Sequence, residues 1–337
     1  MLPSPRPADL PHRTSTARWL LLYAVLGLVL LSGGLPSTAR ATASGADCER
    51  ASAPLAARFG DHVVTEPIMA VTVMPGEAVP VSGMRCDTPV AVSIHTPADT
   101  ARWQPAEAPW SFVAPETPGL HPVTLTDDTG ASVQLQVFVL EPWSHEGTRM
   151  AGYRIGRYEA EPRRGLDAYE RPGGFIRVTE AMRTTQIAPN FQLEQFLSKQ
   201  TRTFPQFVLV DTALLQLLEA VLGEVRKRGH SVPTLHVMSG FRTPHYNRRI
   251  GNTTTYSRHL YGDAADIFVD ANANGRMDDL TGTGRVSRAD AERLAAIVEA
   301  VKNANGDAYV GGLGVYGPAP HRGPFVHVDL RGYRARW

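Results

Sequence analysis

The pattern of hydrophobic and polar positions divides the chain into two parts. Between residues 44 and 142, short apolar or alternating runs recur, separated by turn residues and without a helical period between them. The clearest of these runs are 68–73, 90–94, 121–125 and 132–139. Strands at this spacing predict a small all-β sandwich of the immunoglobulin-like type over residues 44–142.

Helical periodicity dominates later in the chain. Apolar residues at helical spacing predict a helix that begins after Asp211, a good N-cap, and ends in the basic run before Gly229. A second helix is predicted to start with Ser287 and Asp290 as a capping pair. Apolar runs that predict strands lie at 235–238, 264–269, 309–316 and 325–330. Helices interleaved with such strands predict an α+β domain over residues 187–337.

The segment between these two parts, residues 143–186, is predicted to be a connector. Residues 154–174 are rich in Arg, Pro and Gly, which favours ordered loop over regular structure. Residues 191–197, just after the connector, have the pattern of a short helix that docks on the following domain.

Length and composition support a globular protein of two domains. The chain has 337 residues, of which 43% are hydrophobic and 20% are charged. The formal net charge is +1, and no basic stripe is present, which argues against a nucleic-acid partner. The sequence gives no signal for an oligomeric state.

The first 41 residues have the pattern of a secretory signal peptide. A basic leader precedes an apolar core, and a small-residue site at Ala39-Arg40-Ala41 follows it. Export predicts a periplasmic or cell-wall location, and an uncleaved membrane anchor is the less favoured interpretation because the apolar core is short. In an oxidising compartment, Cys48 and Cys86 are predicted to form a disulfide, with two unpaired thiols as the alternative.

Two histidines and one aspartate carry the strongest chemical signal. His259 lies on a Gly-containing loop, and Asp266 lies inside an apolar run, where a carboxylate is costly to bury without a cation or good donors. On the last predicted strand, His327 shares a face with Asp329 because side chains alternate with period two. Two histidines and one carboxylate, with a fourth position left to water, suit a catalytic zinc ion. The alternative is a set of hydrogen-bonded structural residues.

Three motifs in the C-terminal half resemble a known family. Residues 257–266, SRHLYGDAAD, fit the pattern S-x-H-x-x-G-x-A-x-D; residues 239–244 read SGFRTP; and residues 325–329 read FVHVD. In their order along the chain, these motifs resemble the zinc D-Ala-D-Ala carboxypeptidase and murein endopeptidase family, whose fold is shared with hedgehog signalling domains. The resemblance covers roughly residues 187–337 and does not extend to residues 44–142.

The resemblance implies a reaction and a set of roles. It makes His259, Asp266 and His327 zinc ligands, and Arg242 a guanidinium that holds the substrate's peptide or carboxylate. Ser257 would brace the site loop. The implied activity is hydrolysis of amide bonds in peptidoglycan stem peptides or cross-links, by carboxypeptidase or endopeptidase action.

One departure from the family concerns the general base. Many relatives carry an acid three residues before the last ligand or a His two before it, where this chain has Pro324 and Phe325. Asp329 is our candidate for the base, and its competing role is to fix a histidine tautomer. His321 is a further candidate. The departure leaves a second hypothesis open, a catalytically inactive zinc module that binds murein or a protein.

The loop after Asp266 suggests a calcium site. Asp270, Asn272, Asn274 and Asp278 occupy positions 1, 3, 5 and 9 of a calcium-loop pattern, with Gly275 at position 6. Position 12 is Thr281 rather than the usual Glu, so the alternative is a turn-rich insertion without an ion.

Overall fold

The computed structural model describes residues 53–96, 102–104 and 110–337, with only the backbone described for 102–104. The predicted signal peptide and Cys48 lie outside these ranges, so export and the disulfide of Cys86 stay predictions. Within the described ranges, no helix has the length and apolar character needed to cross a membrane.

The first part of the described chain is built of strands alone. Its strands are β1 (Ala56–Phe59), β2 (His62–Val64), β3 (Ile68–Val73), β4 (Ala78–Arg85), β5 (Thr88–Val90), β6 (Val92–His95), β7 (Arg102–Gln104), β8 (Trp110–Val113), β9 (Gly119–Asp127) and β10 (Ser132–Val139). One sheet has the order β2-β1-β4-β8-β7 with β5 also on β4, and the other has the order β3-β10-β9-β6. The expected strand content is present, and the immunoglobulin-like type stays a prediction.

The connector contains more regular structure than expected. The short strands within it and at its two ends are β11 (Glu141–Pro142), β12 (Arg149–Met150), β13 (Tyr153–Arg154), β14 (Gly174–Val178), β15 (Gln186–Ala188), β16 (Phe191–Gln192) and β17 (Gln206–Val208). β14 lies between β11 and β17 in a three-stranded sheet. Residues 191–197 form a strand end and a 3₁₀ turn, Leu193–Phe196, instead of a helix. β11 and β17 pair with β14 from distant parts of the chain, and a local pattern does not contain that information. β12 with β13 and β15 with β16 form hairpins whose strands are too short to show a strand pattern.

The C-terminal part combines three helices with a five-stranded sheet. The elements are α1 (Thr212–Lys227), β18 (His236–Ser239), α2 (Pro244–Arg249), β19 (Ala264–Phe268), α3 (Arg288–Ala304), β20 (Gly312–Tyr316), β21 (Phe325–Asp329) and β22 (Ala335–Arg336). The sheet order is β18-β19-β21-β20-β22. The mixture of helix and strand is compatible with the α+β class expected from the sequence.

The two predicted helix starts are confirmed at their caps. The Asp211 carboxylate accepts the backbone N–H groups of Ala213 and Leu214 at 2.8 and 3.1 Å. Ser287 and Asp290 form a reciprocal capping box at the start of α3. These hydrogen bonds satisfy donors that a helix start otherwise leaves free.

Helix α1 ties the two parts together. The Thr212 hydroxyl donates to the Ala70 carbonyl at 2.9 Å, and the Gln216 amide donates to the Val63 carbonyl at 2.6 Å. Buried apolar residues of the strands and of the C-terminal part form one continuous core. The described residues lie in one compact unit, and the division at residues 142 and 187 stays a prediction.

Candidate metal centre

Strand pairing places two of the predicted ligands opposite each other. β19 and β21 are antiparallel neighbours, and Asp266 pairs directly with His327 in their register. His259 lies on the 3₁₀ turn Arg258–Leu260, just before β19. The structure thus brings His259, Asp266 and His327 together, all buried, with one ligand atom from each within 4.8 Å of the others.

The distances between these atoms suit a tetrahedral zinc ion. His259 Nε2 lies 3.2 Å from His327 Nδ1 and 3.3 Å from Asp266 Oδ1, and His327 Nδ1 lies 2.9 Å from Asp266 Oδ1. Ligand atoms placed about 2.0–2.1 Å from zinc in tetrahedral geometry are about 3.3 Å apart. The three side chains therefore have both the donor types and the spacing that zinc requires.

A backbone carbonyl selects the tautomer of His259. His259 Nδ1 lies 2.7 Å from the carbonyl oxygen of Gly240, and a carbonyl can only accept a hydrogen bond. Nδ1 therefore carries the hydrogen, and the lone pair of Nε2 faces the other ligand atoms. Glycine is required at residue 240, since a Cβ there would lie 2.8 Å from Cα of Phe196.

A buried carboxylate selects the tautomer of His327. Asp329 Oδ2 lies 2.9 Å from His327 Nε2, and Asp329 is fully buried. Burial alone would raise the pKa of Asp329, but hydrogen bonds with His327 and Arg331 lower this pKa well below its usual range. Asp329 is therefore an ionised acceptor to which Nε2 donates, so Nδ1 of His327, 2.9 Å from Asp266 Oδ1, is the nitrogen left to bind a metal ion.

The centre favours positive charge. Burial acts to lower the pKa of His327, but hydrogen bonds with Asp266 and Asp329 raise it to about 9. Burial lowers the pKa of the neighbouring His259. Burial would also raise the pKa of Asp266, yet the two histidines bring it well below its usual range. The carboxylates thus stabilise a cation among the three ligands, which a divalent metal ion would supply.

Arg242 contacts the metal centre through Asp266. Its Nη2 atom donates to Asp266 Oδ2, the oxygen that is turned away from the histidines, and its Nε donates to Ser239 Oγ at 2.7 Å. The guanidinium also lines the cavity beside the centre. Arg242 is therefore placed to orient a ligand and to face a bound molecule at the same time.

Ser257 is buried in the loop that carries His259. Its backbone carbonyl accepts the N–H of Leu260 at 3.0 Å, which closes the 3₁₀ turn. Ser257 also lines the cavity. This position is compatible with the bracing role expected for it.

An open cavity of about 450 Å³ gives access to the centre. Five arginines line it, and Asp266 is the only carboxylate in the described lining. The residues that line it are Arg163, Arg242, Asn252, Thr254, Tyr256, Ser257, Arg258, His259, Asp266, Tyr316, Arg322, Phe325, His327, Arg331 and Trp337. An arginine-rich cavity of this kind favours a bound molecule that carries carboxylates.

Among the described residues, no free acid lines this cavity. Asp329 is enclosed by His327, Arg331 and the backbone N–H of Gly312, which favours its second expected role, the orientation of His327, over that of a base. His321 is exposed and does not line the cavity.

An aromatic wall at the cavity was missed from the sequence. The Trp337 ring is 46% exposed and lies 5.4 Å from the His327 ring, and its indole N–H donates to the Tyr316 hydroxyl at 2.7 Å. Tyr316 stacks on Phe325 with ring centroids 4.5 Å apart. The Arg322 guanidinium lies 4.7 Å above the Phe325 ring. Long-range strand pairing builds this wall, so no local motif could have revealed it.

The calcium hypothesis gains no support. Asp270, Asn272, Asn274 and Asp278 each accept a backbone N–H of their own loop, at distances between 2.7 and 3.1 Å. Among the described residues, His259, Asp266 and His327 are the only group of His, Cys, Asp and Glu side chains placed to hold a metal ion. The alternative expectation, a turn-rich insertion, accounts for the loop.

Comparison with known families agrees with this geometry. The family model described as Peptidase M15 matches residues 189–329, a range that includes Arg242, His259, Asp266 and His327. The C-terminal region belongs to the Peptidase M15 family. The resemblance inferred from the three motifs is thereby confirmed for this region. No curated protein gives a significant match to the chain.

The M15 match supports a hydrolase of the metallopeptidase class. Peptidases of this family are zinc-dependent, and the M15 region of this chain holds the His-Asp-His group described above. The match leaves the strands between Ala56 and Val139 outside it.

Proposed function

We propose that the protein is a zinc-dependent peptidase that hydrolyses amide bonds in peptidoglycan stem peptides or cross-links. The observation that carries the proposal is the convergence of three potential ligand atoms, from His259, Asp266 and His327, inside a Peptidase M15 match. The Ala39-Arg40-Ala41 site supports export, which would place the enzyme in the periplasm or at the cell wall.

The chain's own residues would hold the metal and its orientation. His259, Asp266 and His327 bind zinc, while the Gly240 carbonyl and Asp329 fix the two histidine tautomers. When bound, zinc would lower the pKa of a water molecule to about 7 and polarise the scissile carbonyl. Arg242 holds Asp266 in place and faces the cavity, where its positive charge stabilises negative charge that develops on the carbonyl oxygen.

The arginines of the cavity fit carboxylate-bearing substrates. Arg242, Arg258 and Arg331 already pair with aspartates. Arg163 and Arg322 have no acid partner among the described residues, so their guanidinium groups are available to a substrate carboxylate. Stem peptides, whose side chains and ends carry carboxylates, have the matching charge.

A second candidate function is a zinc-bearing module that binds murein without cutting it. It is favoured by one observation, namely that no carboxylate other than Asp266 lines the described cavity. In the enzyme, the proton released by the attacking water would pass to solvent or to a substrate carboxylate. In the module, no such transfer occurs.

Digestion of purified peptidoglycan and defined muropeptides, with the products weighed by mass spectrometry, separates the two functions. We expect zinc-loaded protein to release fragments whose masses identify the bond that is cut. The His327→Ala variant should release none. If zinc-loaded wild type and His327→Ala both release no fragments, the enzyme proposal fails, and co-sedimentation with peptidoglycan would then support the binding module.

A further inference from the structure

A second cavity, of about 320 Å³, lies between three segments of the chain. It is bordered by the β12–β13 hairpin, by residues 200–205 and by α2. It shares no described lining residue with the cavity of the metal centre. Its charged lining consists of Arg149, Arg154 and Arg249, and His245 adds an imidazole.

Two of these arginines face each other across a strand pair. Arg149 and Arg154 are direct partners in the antiparallel register of β12 and β13. Like charges directly opposite each other on neighbouring strands destabilise the pair. The hairpin therefore keeps an arrangement that costs stability in the absence of an anion.

The surrounding charge is of one sign. Burial lowers the pKa of His245 most. The positive charges of four arginines lower it further, namely Arg154, Arg249, Arg248 and Arg149. None of these four arginines forms an ion pair with an acid in the described part of the chain. Arg149 donates to the Gly152 carbonyl at 2.7 Å, and Arg249 lies over the Tyr246 ring at 5.3 Å.

Hydrogen bonds fix the frame of this cavity. The N–H of His245 donates to the Ile155 carbonyl at 2.9 Å, which ties the hairpin to α2. Gly156 permits this approach, because a Cβ there would lie 2.6 Å from the nitrogen of His245. Gln200 donates to the Arg154 carbonyl at 3.0 Å and accepts the hydroxyl of Thr243, the N-cap of α2, at 2.7 Å. The backbone segments that carry the arginines are therefore held together before any ligand arrives.

We propose that this cavity binds a phosphate group. Three guanidinium groups, together with whichever of the Thr201 and Thr203 hydroxyls does not donate to the other, offer more donors than the two oxygens of one carboxylate can accept. A phosphate presents more acceptor oxygens and up to two negative charges, and Arg is the side chain that best matches it. The phosphate could be free or part of a phosphodiester polymer. A phosphodiester group keeps two unbridged oxygens and one negative charge, so a polymer would match the three arginines with more than one of its groups.

Calorimetric titration of the zinc-loaded full chain tests the proposal. The probes are inorganic phosphate, a glycerol phosphodiester oligomer and acetate, each added to wild type, to Arg149→Gln and to Arg154→Gln. Arg276→Gln, which removes an exposed arginine outside the cavity lining, is the control of equal charge. We expect each cavity variant to weaken phosphate binding at least tenfold, the control to bind as wild type does, and acetate to bind more weakly than phosphate.

The oligomer distinguishes the two sources of phosphate. Tighter binding of the oligomer than of inorganic phosphate indicates a polymer, and the reverse order indicates the free ion. Phosphate affinity that is equal in wild type, Arg149→Gln and Arg154→Gln would overturn the proposal, because any remaining binding would then belong to the metal centre or to general charge.

Thermal melting in phosphate-free buffer provides a second readout. Because Arg149→Gln removes a repulsion between like charges, this variant should melt at the same temperature as wild type or higher. Added phosphate should raise the melting temperature of wild type more than that of Arg149→Gln. A variant that melts lower and still binds phosphate normally would identify Arg149 as a structural residue only. This outcome is independent of whether the M15 region cleaves peptides.

Discussion

Asp329 Oδ2 accepts a hydrogen bond from His327 Nε2 at 2.9 Å, on the opposite side of the imidazole from the nitrogen that faces Asp266. Arg331 and the backbone N–H of Gly312 hold this carboxylate in place. Such a partner fixes the tautomer of a metal-binding histidine and increases its basicity. Asp329 would thus act on a bound metal ion through His327, and it is not among the described residues that line the cavity.

The first prediction concerns Asp329→Asn. We expect this variant to bind zinc about 10- to 100-fold more weakly, because the amide is a poorer acceptor for His327 Nε2. Competition with a chromogenic chelator measures the zinc affinity, and kcat is measured at saturating zinc. Asp127→Asn is the matched control, since it removes another buried carboxylate that pairs with an arginine. A large loss of kcat with unchanged zinc affinity would instead make Asp329 the general base.

The second prediction concerns Gly314, which pairs with His327 in the register of β20 and β21. A Cβ at this position would lie 2.5 Å from Nε1 of Trp337, so Gly314→Ala displaces the indole from the cavity wall. We expect kcat/KM to fall about 2- to 10-fold through a higher KM, since one aromatic contact is worth about 0.5–1.5 kcal/mol. Zinc affinity should not change.

Trp337→Phe is the companion variant for this prediction. It keeps an aromatic ring beside His327, removes the indole N–H that bonds to Tyr316 and makes the ring smaller. We expect a smaller rise in KM than for Gly314→Ala. Equal kinetics for wild type and both variants would show that the wall does not contact the substrate.

Local sequence signals predicted the parts of the fold that depend on neighbouring residues. The Asp211 cap and the Ser287–Asp290 capping box lie where expected, because a cap involves residues only two or three positions apart. Strands β3 and β10 were predicted with their observed bounds, because both have strongly apolar patterns. Helix α2 was missed because six residues are too few to show a helical period, although Thr243-Pro244 is a good helix start.

The candidate site likewise contains some residues that local sequence signals predicted and others that they did not. His259, Asp266 and His327 were predicted as a group from their motifs, and the pairing of β19 with β21 brings them together. Trp337 and the Arg149–Arg154 pair were not predicted, because their positions depend on chain segments far away or on a hairpin register. The position of Asp329 on the same strand face as His327 was predicted, and its hydrogen bonds distinguish between its two possible roles.

The third prediction concerns the pH dependence of stability. The hydroxyl of Thr129 and the guanidinium of Arg85 hydrogen-bond to Asp127, and they lower the pKa of this carboxyl to about 2 although burial opposes them. Its pKa in the unfolded chain is about 3.9. The stabilisation from Asp127 is therefore complete above this value and is lost as the pH falls through the folded pKa.

Thermal melting of wild type and Asp127→Asn from about pH 6 to about pH 2 checks this prediction. We expect wild type to melt at a higher temperature than Asp127→Asn near neutral pH. The difference between their melting temperatures should narrow as the solution becomes more acidic. A difference that stays constant over this range would show that the ionised form of Asp127 does not stabilise the fold.

The central claim is that His259, Asp266 and His327 form a zinc centre, and anomalous X-ray diffraction at the zinc edge tests it most directly. We expect one zinc ion per chain, bound by His259 Nε2, Asp266 Oδ1 and His327 Nδ1, with the fourth position open to the arginine-lined cavity. Coordination through His327 Nε2, or no zinc peak among these three side chains in zinc-loaded crystals, would contradict it.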